Sequence, residues 1–258
     1  MNHPNILVNE ADGILTLEIS RREKKNALTA DMYRAMSAAL SHARDHSHVR
    51  VALIRGQEDM FTAGNDLADF LNRKAGDPSA AIPFLHLIAA FEKPLVAAVA
   101  GNAVGIGTTM LLHCDLVFAA DNARFQLPFV SLALCPEGAS SLLLPRVAGY
   151  QRAAELLLLG EPFGAEQARE AGFVNRVLHA GELMAAALEA ARKLAARPAT
   201  SLAMTKALLK RTPDRTAIEA IDEEAMFFAE LVAAHEAKAR FAAFLDKRDS
   251  GSAKGSEG

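Results

Sequence analysis

One carboxylate stands in an otherwise apolar stretch, LALCPEGASSLLLP (Leu132–Pro145). It is Glu137, set between Pro136 and Gly138. Burying an ionised carboxylate is costly unless the group is neutral or has a function. Apolar surroundings would raise its pKa and make it a stronger proton acceptor than an exposed Glu. A helix beginning at GASSLLL pulls the other way, because a helix N-terminus favours the anion. The same residue would also suit the first turn of that helix, with Pro136 setting the start. Residue types alone leave both roles standing, catalytic base and helix-end acid.

Other groups could also do chemistry. RREKKNAL (Arg21–Leu28) gathers Arg21, Arg22, Lys24 and Lys25. Such cations suit phosphate oxygens, or form a solvated loop. His113 and Asp115 flank Cys114, but adjacent residues leave a helix end in different directions, so a structural role is expected for them. His42, His46 and His48 fall on a polar helix end and are read as solvated. Cys114 and Cys135 sit in apolar runs without CxxC or Cys/His spacing. They read as reduced core thiols in a reducing compartment. No metal site is expected.

These groups must be held by elements that the pattern also suggests. ILVNEADGILTLEIS reads as two short strands around an Asp12-Gly13 turn. Thr29 opens a helix with Met32, Met36, Leu40 and Ala43 at three-to-four spacing. VRVALIRG (Val49–Gly56) is a continuous β-branched run, as in a strand covered on both faces. FTAGNDLADF is a glycine-containing loop entering a short helix. PLVAAVAG (Pro94–Gly101) is a strand, NAVGIGTTMLLH a tight turn running into a buried helix, and DLVFAA (Asp115–Ala120) another strand. From Pro136 the chain reads as mostly helical, interrupted by a short strand in GFVNRVL. Alternating strands and helices followed by crowded helices indicate an α/β fold with a helical C-terminal region. The low-complexity DSGSAKGSEG is expected to be a disordered tail.

The 258 residues are 51% hydrophobic and 23% charged, which suits one large globular domain. The net charge of −3 gives no sign of a nucleic-acid partner. No signal-peptide pattern and no membrane-length apolar run occurs, so a cytoplasmic protein is expected.

Three segments in order, FTAGNDL, GNAVGIGTTMLLHCDLVFAA and RFQLPFVSLALCPEGASSLLLP, resemble the crotonase, or enoyl-CoA hydratase/isomerase, superfamily. Each alone is weak, but the ordered set spans nearly the whole chain. The resemblance implies a crotonase-like spiral of ββα units over residues 1–195, a helical trimerisation region over 196–248 and the tail at 249–258. It also implies acyl-CoA thioester substrates and assembly as a homotrimer or dimer of trimers. No separate cofactor is implied, since coenzyme A is part of the substrate.

By resemblance, the backbone N–H groups of Asn65 and Ile106 form an oxyanion hole. For Ile106 the placement agrees with physics, because free N–H groups at a helix start favour negative charge. Gly105 and Gly107 let a ligand approach that backbone. The resemblance places Ala27, Ala63, Asp66 and Leu67 along the coenzyme A path, and Lys25 beside its phosphates. Phe129 and Leu134 are candidates for the acyl pocket wall.

Hydratases of this superfamily use two glutamates. The matching positions here are Thr109 and Phe129, so both carboxylates are absent. LALCPEGASS instead resembles the peroxisomal-type Δ3,Δ2-enoyl-CoA isomerases, whose one catalytic Glu matches Glu137. Another crotonase reaction, such as hydration or thioester hydrolysis, would need a second acid. A non-catalytic acyl-CoA-binding module is the reading from a different class.

Overall fold

The computed structural model describes residues 3–72, 79–210 and 216–233, and beyond them 235, 238–239, 241–243 and 245. The expected tail at 249–258 lies outside the described residues. In chain order the elements are β1 (Ile6–Ala11), β2 (Ile14–Ile19), α1 (Ala30–Asp45), β3 (Val51–Arg55), β4 (Met60–Thr62), α2 (Leu67–Asn72) and α3 (Ala81–Ala89). Then come β5 (Leu95–Val99), β6 (Asn102–Val104), α4 (Ile106–Thr109), β7 (Leu116–Ala120), β8 (Arg124–Gln126), α5 (Ser140–Ala148) and α6 (Tyr150–Ala154). The last are β9 (Phe163–Gly164), α7 (Ala165–Glu170), β10 (Arg176–Leu178), α8 (Ala180–Ala195), α9 (Ala199–Leu209) and α10 (Ala217–Ala233).

The strands form two sheets. The larger has the order β1-β2-β3-β5-β7-β10, and the smaller β4-β6-β8-β9. The chain gives one strand to each sheet in turn and then a helix, as in β3–β4–α2 and β5–β6–α4. This is the expected α/β spiral of ββα units. Among the strands of the described residues, β1–β2 and β8–β9 pair antiparallel and the other pairs are parallel. The β1–β2 hairpin turns at Asp12 and Gly13, both at positive φ (54° and 73°).

Parallel register stacks like with like. Leu17, Ile54, Ala97 and Val117 stand side by side across β2, β3, β5 and β7 and face the main core. Their neighbours Leu53 and Val96 face the opposite way, where α8 covers them with Leu183, Ala187 and Ala191, each four residues apart. Both faces are thus buried, which accounts for the unbroken apolar runs of β3 and β5. Helix α1 is capped by Thr29, whose Oγ1 accepts from the Met32 N–H at 3.3 Å.

Two local expectations are corrected. Asn102–Val104 is a short strand rather than part of a turn, because it pairs with both β4 and β8. The buried helix after it is α-helical only to Thr109 and continues as a 3-10 turn over Met110–His113. Among the described residues no helix is long and apolar enough to cross a membrane.

The expected division at 195/196 falls between α8 and α9. Helix α9 is bound to the core by Lys206, whose Nζ lies 2.7 Å from Asp115 Oδ2 and donates to the Lys93 carbonyl at 2.7 Å. Burial lowers the Lys206 pKa, and the Asp115 carboxylate opposes that shift.

Candidate active site

Glu137 sits on a turn rather than in a helix. Helix α5 begins at Ser140, and Gly138 and Ala139 before it both have positive φ (64° and 59°). The alternative reading of Glu137 as a first-turn helix acid therefore fails. Ser140 instead caps the turn, its N–H and hydroxyl donating to the Glu137 carbonyl at 3.1 and 2.7 Å. His113 holds the turn from the other side, with Nε2 2.8 Å from the Gly138 carbonyl. A carbonyl only accepts, so this ring carries its proton on Nε2. The structural role expected for His113 is thus a specific one.

Burial lowers the His113 pKa to about 4, partly opposed by the Gly138 bond. An unfolded His titrates near 6.5, so between these values the unfolded chain binds the extra proton and the folded one does not. Stability is then full above about pH 6.5 and falls as the pH drops toward 4, by ~3 kcal/mol from this group. Denaturant titrations at pH 7 and pH 4.5 should reveal that loss. In His113→Gln the loss should shrink, even though the variant is less stable at pH 7.

The Glu137 side chain is 5% exposed and lines a cavity of about 550 Å³. Asn65 Nδ2 donates to Glu137 Oε1 at 3.3 Å. The Asn65 amide is itself fixed, because the Tyr33 hydroxyl donates to Asn65 Oδ1 at 2.5 Å. Tyr33 is buried in α1, with its ring 5.6 Å from that of Phe84. Burial, then the charge of Glu137, raises the Tyr33 pKa well above the usual phenol value, so the hydroxyl stays a donor.

Two backbone segments build another part of the wall. Lys25–Leu28 and Ala63–Asp66 run side by side, joined by Ala63 N–H to Lys25 O, Leu28 N–H to Gly64 O and Asp66 N–H to Leu28 O. In this parallel bridge the bonds flank Asn65, whose own N–H points away from Leu28. Asn26 locks the pair. Its fully buried amide donates to the carbonyls of Ile19, Met60 and Phe61 at 3.0 Å. Ile106 follows Gly105, whose φ of 56° and ψ of −119° turn the chain from β6 into α4. The Thr108 and Thr109 N–H groups both donate to the Gly105 carbonyl. Among the described residues, neither Asn65 N–H nor Ile106 N–H donates to a protein acceptor.

The residues singled out in the sequence come together here. Asn65, Ile106, Glu137, Gly105, Lys25, Ala27, Ala63, Asp66, Leu67, Phe129 and Leu134 all line this cavity. Of the basic loop, Lys24 and Lys25 reach the cavity. Arg21 does not; it pairs with Asp66 at 2.7 Å and donates to the Ala27 carbonyl at 2.9 Å. Arg22 pairs with Asp59 at 3.2 Å. Asp66 also accepts from the Ala68 N–H at 3.0 Å, which starts α2.

Sequence reasoning passed over Tyr33, Asn26, Arg124 and Phe228. A tyrosine on the apolar stripe of a helix needs a partner for its hydroxyl, which was the available signal for Tyr33. Arg124 and Phe228 line the cavity, Phe228 from α10, and nothing in their local sequence marks them. Thr109 is fully buried, with no hydrogen-bond partner for Oγ1 among the described residues.

The geometry agrees with wider comparisons. A family model described as enoyl-CoA hydratase/isomerase matches residues 9–252. Enoyl-CoA delta isomerase 2 of Rattus norvegicus is 34% identical over 226 residues, 85% of this chain; the chain spans 57% of that relative's length. The 2,3-dehydroadipyl-CoA hydratase of Escherichia coli (strain K12) is 31% identical over 245 residues, 94% of this chain and 96% of that protein. The solved structure of Pseudomonas aeruginosa OdaA is 42% identical with a TM-score of 0.90, covering 94% of this chain and 99% of that one. With a family match from β1 into the C-terminal region and the same ββα spiral, this chain belongs to the enoyl-CoA hydratase/isomerase family of the crotonase superfamily.

Proposed function

We propose that the chain is an acyl-CoA enzyme that stabilises a thioester enolate, and that its reaction is Δ3,Δ2-enoyl-CoA isomerisation with Glu137 as the base. The observation that carries this is the pair of carboxylates lining the cavity. Asp66 pairs with Arg21 and accepts from the start of α2; Glu137 accepts from Asn65 Nδ2 and stands on a turn held by Ser140 and His113. The hydratase positions hold Thr109 and Phe129, both buried and neither able to ionise.

The Glu137 carboxylate removes a proton from C2 of the 3-enoyl thioester. The C–H electrons pass toward the carbonyl, and the oxyanion is held by the N–H groups of Asn65 and Ile106. The protonated Glu137 then delivers its proton to C4, leaving the double bond between C2 and C3. Proton transfer in and out consumes no cofactor; coenzyme A enters as part of the substrate. Lys24 and Lys25 supply charge for its phosphates. The apolar wall, with Phe129 and Leu134, keeps water away from the dienolate. A homotrimer or dimer of trimers in the cytoplasm belongs to the same proposal. Its self-association is supported by the exposed Met204, Leu209 and Met226 on α9 and α10, which a neighbouring subunit would cover.

Hydration is a second reading, favoured by the end-to-end match to the 2,3-dehydroadipyl-CoA hydratase. The two are separated by incubating the purified protein with 3-enoyl-CoA and 2-enoyl-CoA. Conjugated thioester forming from the first, with little hydration of the second, supports isomerisation. Hydration at a comparable rate would overturn it. Binding of coenzyme A esters with neither reaction would point to the non-catalytic module.

The Tyr33 bond gives a second expectation. Tyr33→Phe keeps the ring against Phe84 but leaves the Asn65 amide without its buried donor, a loss of ~1–3 kcal/mol. The kcat for isomerisation should fall by about 10-fold with KM little changed, as expected for a group that positions the base. Steady-state kinetics check this. An unchanged kcat would remove Tyr33 from the site.

A further inference from the structure

Away from the cavity, the end of α1 meets β1 in a cluster of imidazoles. His42 Nε2 lies 2.7 Å from Glu10 Oε1, and His48 Nε2 lies 3.1 Å from Glu10 Oε2. One ligand atom from each of the three residues falls within 4.8 Å of the others. None of the three lines the active-site cavity. Two exposed ion pairs would explain the contacts separately. They do not require both imidazoles to converge on the two oxygens of one carboxylate.

The cluster is built on fixed backbone. Glu10 is registered opposite Leu15 in the β1–β2 hairpin. His42 lies in the last turn of α1. His48 lies on the connection from α1 to β3, which is held by Lys93. The Lys93 Nζ donates to the carbonyls of Ala43, His46 and Val49 at 2.5, 2.8 and 2.8 Å. The Val49 N–H also donates to the His46 carbonyl. His46 stacks on His42, ring centroids 3.9 Å apart, and its Nδ1 faces the His42 carbonyl at 2.9 Å. It therefore orients the His42 ring without being one of the ligands. Preorganised side chains on rigid elements are what a metal site requires.

We propose that Glu10, His42 and His48 form a binding site for a divalent d-block cation, with Zn2+ as the reference ion. Two imidazoles and a carboxylate are a ligand set that zinc accepts, with water filling the fourth position. Zinc bonds of about 2.0–2.1 Å place tetrahedral ligands roughly 3.3 Å apart, so ligand atoms already within 4.8 Å of one another need shift by at most about 1.5 Å to reach that spacing. The ring protons that now face Glu10 move to Nδ1, and the Nε2 lone pairs take the metal. The bound ion would clasp the sheet-edge strand β1 to the end of α1.

The test is calorimetric titration of chelator-stripped protein with Zn2+, accompanied by melting curves. One site per chain with a Kd of order 1–10 µM is expected. Saturating Zn2+ should raise Tm by about 5 °C. His48→Ala and Glu10→Gln should each weaken binding by about 10-fold or more. His179→Ala, at the exposed His179–Asp121 pair, is the control and should leave binding unchanged. Circular dichroism confirms that each variant is folded. The proposal is overturned by the absence of saturable binding below roughly 100 µM. It is equally overturned if affinity survives both ligand substitutions, or falls as far in the His179 control.

Discussion

Glu137→Gln is expected to lower kcat for conversion of 3-enoyl-CoA to 2-enoyl-CoA by roughly 10²-fold or more, while KM changes little. Gln keeps the length and shape of the side chain and still accepts from Asn65 Nδ2, now 3.3 Å from Oε1. It cannot take a proton from C2. The loss is therefore confined to the transition state, about 2.7 kcal/mol or more. The turn should survive, because the bonds of Ser140 and His113 go to the backbone carbonyls of Glu137 and Gly138, which the substitution leaves in place. A melting temperature near that of the parent is the companion result. Retention of full activity in a folded Glu137→Gln protein would mean that another group is the base.

Glu137 also illustrates how much the sequence carried. Its apolar company was visible, and so was the conflict between catalytic base and helix-end acid. What removes the helix-end role is the start of α5 at Ser140, set by two positive-φ residues, one of them Ala139. Alanine gives no sequence signal for that conformation, since it seldom adopts it. Long elements fared better. The Asp12-Gly13 hairpin, the Thr29-capped α1 and the doubly covered β3 and β5 follow from turn chemistry and apolar period. The strands of the smaller sheet are two or three residues long, too short to display a period. They exist because the spiral brings partners alongside.

The backbone part of the wall was legible in a different way. Backbone N–H groups carry no residue identity, so Asn65 and Ile106 could be singled out only through the ordered glycine-containing segments around them. The supports behind them were hidden. Asn26 reads as one more polar residue of a basic loop, yet its buried amide binds three carbonyls. Arg21 reads as one of four loop cations, suited to phosphate or solvated, yet a carboxylate 45 positions along the chain claims it. Long-range partners of this kind emerge only when the two segments are zipped together.

Those backbone donors lead to the second large effect. Gly105→Ala is expected to lower kcat by about 10²–10³-fold in a protein that still folds, equivalent to ~2.7–4 kcal/mol of transition-state stabilisation. The ψ of Gly105 sets the plane of the peptide that carries the Ile106 N–H. At φ 56° and ψ −119° that peptide has an orientation that L-residues hold only under ~1–3 kcal/mol of strain. Space is not the obstacle, since a Cβ at this position would meet nothing within 4 Å. The inexpensive response is to rotate the peptide, which turns the Ile106 N–H away from the oxyanion position. Gly64, which precedes the other donor, makes a poorer probe, because a Cβ there would lie 2.6 Å from the Val104 carbonyl and disturb the wall itself. Two measurements check the prediction, kcat for isomerisation and the affinity for a coenzyme A ester that cannot form an enolate. A large fall in kcat with near-parental affinity would place the lost interaction at the developing oxyanion. A parallel loss of both would mean that Gly105 serves the shape of the cavity rather than the donor.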